Sequence, residues 1–159
     1  MTTVKSNRLA KISFALLFAI LFSLLMATGA SASNQDRPFK FTTKNSSSQG
    51  IINAGQRKEN ASSIYCYIKR TQDSSVTYAY VNARGSYSSS TANESSWAWC
   101  NSAEPTNRRM NVGTQYFIYN SVYEAGYPYA ALSFKTFKPV TMSGVWSPDS
   151  VYQSGVVQI

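Results

Sequence analysis

An all-β fold is predicted for this chain: a small β-sandwich, or a partly closed barrel, of about seven or eight antiparallel strands. Three observations predict it. From residue 63 onward the chain alternates apolar and polar positions with period two, the spacing of strands with one buried face. Its apolar runs are built from Tyr, Val, Ile, Phe, Thr and Trp, the residues that favour strands. After the first 32 residues no amphipathic helix of useful length interrupts them, and nothing recurs at a period of roughly 20–50 residues. Short strands broken by turns must therefore share one core.

Residues 1–32 read as a signal peptide. Lys5, Arg8 and Lys11 form a basic start without an acid, Ile12 to Ala27 is apolar, and Ala30-Ser31-Ala32 supplies an A-x-A ending. The apolar run falls short of the roughly 20 residues of a spanning helix. A cleaved leader is therefore favoured over an uncleaved anchor, with a mature N-terminus at Ser33, no membrane span in the mature form, and a secreted, extracellular protein. The expected organisation is leader 1–32, a polar and weakly structured segment 33–62, and a sandwich domain 63–159.

Within 33–62, Phe39-Lys40-Phe41 and Gly50-Ile51-Ile52 are short apolar pieces suited to edge strands. Ile64 to Lys69 alternates cleanly, and the polar break Thr71–Ser75 before Val76 to Val81 invites a hairpin. Arg84-Gly85 reads as a turn, with Ser86–Ser90 a polar edge strand. Ser96 to Cys100 follows, then a loop carrying Pro105. Further strands are expected at Gln115–Tyr119, Tyr129–Phe134, Val140–Met142 and Val145–Trp146. Val151–Ile159 closes the chain, with Gly155 as a bulge or bend.

The chain carries fifteen basic and seven acidic residues. Loss of the leader removes three of the basic ones and leaves a net charge of +5. Cys66 and Cys100 are the only cysteines, and both follow the leader. In an exported chain a pair most simply forms one disulfide, worth about 3–4 kcal/mol through chain entropy. The alternative is two free thiols.

There is no histidine. That excludes Ser-His-Asp and Cys-His nucleophilic sites and His-ligated metals. Two cysteines are too few for a structural zinc, and no phosphate-cradling glycine loop is present. No metal and no cofactor is expected. Of the acids, Asp149 reads as a turn residue, and Glu124 is the one framed by aromatics. Paired carboxylates for glycan hydrolysis are thus the weaker reading, and a non-enzymatic protein is expected.

The aromatics carry more information. Tyr65 and Tyr67 share a strand face, as do Trp97 and Trp99. If Cys66 meets Cys100 in the core, both pairs point outward and can stack on sugars or partner surfaces. The opposing reading places the tryptophans in the core and leaves the tyrosines as ordinary cross-strand pairs. Basic clusters at Arg57-Lys58, Lys69-Arg70, Arg108-Arg109 and Lys135 with Lys138 favour an anionic polymer such as wall teichoic acid, or anionic lipid. No nucleic-acid motif accompanies them. The candidate binding residues are therefore Trp97, Trp99, Tyr65, Tyr67, Arg108 and Arg109.

On its leader and its Tyr-, Ser- and Asn-rich remainder, the chain resembles small exported, strand-rich proteins of Gram-positive bacteria. The resemblance transfers no residue's role. The expectation is a secreted binding module for an extracellular surface, cell-wall polymer or partner protein. A bacteriocin-like toxin or inhibitor acting on competitor envelopes is the alternative.

Overall fold

The computed structural model describes residues 35–43, 50–52, 54–101 and 108–159. The leader and its cleavage site, the polar stretch Asn45–Gln49 and the loop with Glu104 and Pro105 lie outside the described residues. The elements are β1 (Arg37–Thr42), β2 (Gly50–Ile51), β3 (Gln56–Arg57), β4 (Ile64–Thr71), β5 (Tyr78–Ser86), a 3-10 turn (Glu94–Ser96), β6 (Ala98–Trp99), β7 (Arg109–Asn111), β8 (Gln115–Ile118), β9 (Tyr129–Lys135), β10 (Thr141–Ser147) and β11 (Val157–Gln158). Two sheets pack as a sandwich. Sheet A has the order β1-β10-β4-β8-β11; sheet B runs β2-β9-β5-β6, with β3 also on β9 and β7 also on β5.

Alternation decides which side each strand buries. On sheet A, Phe39, Phe41, Ile64, Cys66, Ile68, Tyr116, Ile118, Met142 and Trp146 are buried; Ala79, Val81, Ala83, Met110, Ala130, Leu132 and Phe134 answer from sheet B. Phe134 of β9 stacks on Phe39 at 5.6 Å between ring centroids and lies 6.0 Å from Phe41, so the two inner faces interdigitate. Each such ring contributes about 1.5–3 kcal/mol by leaving water. Alanines on sheet B leave room for the larger side chains of sheet A.

Several elements depart from their sequence reading. Among the described residues eleven strands replace seven or eight because four of them are two-residue pieces; β2 and β3 share one edge of β9, and β6 and β7 share one edge of β5. One pair, β8 with β11, is parallel. The segment 33–62 supplies three strands, two of them from Phe39–Phe41 and Gly50–Ile51. β4 and β5 form no hairpin, because they belong to different sheets. Between them the chain crosses the sandwich, with Val76 buried as its plug and Thr71 Oγ donating toward the Asp73 and Val76 carbonyls. Arg84-Gly85 lies inside β5 and is not a turn. Gly85 is there for close packing: a Cβ would stand 2.6 Å from the Tyr127 ring and 2.8 Å from the Cys100 sulfur.

The Ser143-Gly144 break is a bulge within a single strand. Ser143 lies opposite Arg70 while Gly144 lies opposite Ile68, so Lys69 is the extra residue on β4.

Candidate functional site

The six candidate binding residues fall into three places. Trp97 is 1% exposed and Trp99 51%, so they do not share a face. Trp97 precedes β6 as the cap of the 3-10 turn, where strand alternation does not hold. Its indole nitrogen donates to the Ser90 carbonyl at 3.0 Å, and its ring lies against Gly55, where a Cβ would come within 2.3 Å. Trp99 lies opposite Arg84 on the outer face of sheet B, and the guanidinium carbon sits 3.7 Å from its ring centroid. The same guanidinium donates to the Trp97 carbonyl at 2.7 Å. One arginine thus holds both tryptophans in their separate places.

Arg108 and Arg109 also part. Arg108 is buried, and its guanidinium donates to the Tyr119 and Ile159 carbonyls. Burial lowers its pKa, and its work is to tie the chain's end to β8. Arg109 is exposed on β7, 3.9 Å over the Tyr78 ring.

The cysteines are free thiols and both are buried, which corrects the disulfide expectation. Cys66 sits on β4, opposite Trp146 and Tyr116 in the middle of sheet A. Cys100 directly follows β6 at the edge of sheet B, with its sulfur 3.7 Å from the Ala98 carbonyl. Their neighbours belong to different sheets. Burial raises the pKa of both, which leaves them unreactive thiols.

Tyr65 and Tyr67 lie together on the outer face of sheet A, opposite in direction to the buried Ile64, Cys66 and Ile68. Tyr65 meets Phe117 edge-on at 6.0 Å. Its phenol is pushed up to about 12, first by burial and then by the charge of Asp36, so it stays a neutral donor at physiological pH. Lys69 reaches over the Tyr67 ring at 5.9 Å.

Sequence reasoning missed the groove farther along this face. Lys40 of β1 lies opposite Ser143 of β10, and Ser143 opposite Arg70 of β4. The bulge makes that row possible: in unbroken alternation Arg70 would share the inward side with Cys66 and Ile68, and the extra Lys69 turns it outward. Gly144 permits the bulge, since a Cβ there would lie 2.0 Å from the Tyr67 carbonyl oxygen. Lys40, Arg70, Thr71, Gln72, Thr141 and Ser143 line a groove of ≈ 370 Å³. No strand of sheet A carries Asp or Glu.

The acids are placed elsewhere. Asp149 sits at a bend, as a turn residue would, but its carboxylate is buried and bonded to a distant segment and not to nearby backbone. It accepts from Lys58 Nζ at 3.0 Å, from the Glu59 backbone amide at 3.1 Å and from the Asn60 amide at 3.4 Å. Lys58 is equally buried and also donates to the Pro148 carbonyl at 2.7 Å. Burial lowers the Lys58 pKa, with Asp149 opposing that shift. Asp36 and Asp149 both line a second pocket beside Tyr65. The partners of Asp149 make it a clamp between the segments around residues 58–62 and 147–150, where a hydrolase needs a free carboxylate. Glu124 is exposed. Among the described residues no cluster of three His, Cys, Asp or Glu can hold a metal, and no helix is long and apolar enough to cross a membrane.

A family model described as "Protein of unknown function (DUF2712)" matches residues 26–150, and the chain belongs to that family. No curated protein and no solved structure matches it.

Proposed function

We propose that this chain is a secreted, non-enzymatic binding module that holds a polymer of the cell envelope against the outer face of sheet A. One observation carries the reading. That face presents Tyr65 and Tyr67 beside Lys40, Lys69 and Arg70, on strands without a single acid. Flat rings stack on sugar faces; Asp36 offsets part of the charge at the Tyr65 and Lys69 end, and the net positive field of Lys40 and Arg70 farther along draws an anionic chain along the sheet. The interior, by contrast, is occupied by packed side chains and a satisfied ion pair.

Cosedimentation of the purified chain with isolated bacterial cell walls tests the reading. The chain is expected in the pellet at about 0.15 M salt. Tyr67→Ala is expected to weaken binding by about 0.5–1.5 kcal/mol, the worth of one aromatic contact beyond area burial, with the thermal midpoint unchanged. A chain that stays in the supernatant, or one indifferent to Tyr67, counts against the reading.

A further inference from the structure

We infer that the polymer carries phosphodiester groups, and that a phosphate seats in the groove where Lys40, Ser143 and Arg70 meet. The inference rests on the binding-module reading and names the class of its ligand.

The three residues lie in one row across β1, β10 and β4. Lys40 and Arg70 are therefore two strand spacings apart at their Cα atoms, about 9–10 Å. Two long cationic side chains at that separation can close over a group held above the serine between them. The donors suit a tetrahedral oxyanion: three N–H on lysine, five on arginine in a fixed fork, and the hydroxyl of Ser143. Thr141 adds a hydroxyl already paired with that of Thr42 at 2.8 Å, and the Gln72 backbone amide is fixed on the Thr141 carbonyl at 2.8 Å. The groove's shape is thus set by the sheet itself.

Nothing on the strands neutralises these cations. The ion pairs among the described residues are Lys58–Asp149 and Lys138–Asp73, neither of which uses Lys40 or Arg70. Asp73, the acid next to Gln72 in sequence, is engaged by Lys138 and by the Ser75 amide, which hold its carboxyl down to about 2. The bulge is the second mark of a made site, since it turns Arg70 outward from a strand whose alternation would bury it. A lipid headgroup presents the same phosphate. The groove is lined by Lys, Arg, Thr, Gln and Ser alone and has no apolar side chain to enter a bilayer, so the phosphate is assigned to a hydrophilic polymer.

The test uses the purified chain and two double variants of equal charge change: Lys40→Gln with Arg70→Gln, and, on sheet B, Arg57→Gln with Lys135→Gln. Inorganic phosphate is titrated against chloride at matched ionic strength, with amide chemical shifts as readout. Shifts are expected at residues 40, 70–72 and 141–143 in the wild type and in the sheet B variant, and not in the groove variant. Affinity for a glycerol phosphate polymer is expected to fall about tenfold in the groove variant and by less than about twofold in the other, the scale of one charge-assisted hydrogen bond. Equal losses in the two variants mean that binding follows net charge, which overturns the groove and leaves the binding-module reading standing. Phosphate shifts confined to the groove in a chain that ignores cell walls uphold the phosphate site and overturn the module reading instead. Tighter binding to phosphatidylglycerol vesicles than to the polymer overturns the assignment to a polymer.

Discussion

Cys66 and Cys100 illustrate what a residue's type does and does not dictate. Two cysteines in an exported chain favour a bridge by compartment, but geometry requires the two Cα atoms within about 7 Å and the Cβ atoms facing. One thiol sits mid-sheet in sheet A and the other at an edge of sheet B, each with its own neighbours. Burial keeps both protonated. The native chain is therefore expected to resist alkylation, and the chain unfolded in denaturant without reductant is expected to take two alkyl groups, as read by intact mass. Labelling that appears only after reduction contradicts the free thiols. Trp97 and Trp99 teach the same lesson. Their spacing promised a shared face, yet only residues inside a strand alternate, and Trp97 stands outside it.

At the scale of elements, much was legible. The phase of β4 follows directly from Ile64, Cys66 and Ile68, and it places Tyr65 and Tyr67 on the outer face. β8 and β9 fall on the apolar runs that suggested them. What the residues could not reveal was the sheet to which each strand belongs. The break after Thr71 looks like a hairpin turn and is a crossover, because pairing is decided by distant partners: β10 for β4 and β9 for β5. The pairing of Lys58, which reads as part of a basic cluster, with Asp149, which reads as a turn residue, is hidden for the same reason: they are 91 residues apart and invisible to each other in sequence. Arg84-Gly85 reads as a turn by composition, but Gly85 makes room for a close neighbour, and so does Gly144. Gly144→Ala is accordingly expected to destabilise the chain by about 1–3 kcal/mol or more, the range for forcing atoms into a packed site, as measured by urea unfolding. The bulge is expected to move with it, so phosphate shifts at Arg70 should weaken in the same variant. Wild-type stability in Gly144→Ala contradicts this account of the bulge.

The whole molecule is a sandwich with two unlike outer faces. On sheet B two of the cations are already held on rings, Arg84 on Trp99 and Arg109 on Tyr78, and Arg84 is further held by the Trp97 carbonyl. On sheet A, Lys40 and Arg70 flank an open groove, and Tyr65 and Tyr67 continue the face along β4. Binding is proposed to use the sheet A face. Hydroxyl-radical footprinting, with and without the glycerol phosphate polymer and read by mass spectrometry, tests it most directly, because tyrosine and tryptophan report oxidation on both faces at once. Tyr65 and Tyr67 are expected to lose oxidation when the polymer is bound, while Trp99, Tyr78 and Tyr80 keep theirs. Protection centred on Trp99 and Tyr78, with Tyr67 oxidised as before, would contradict it.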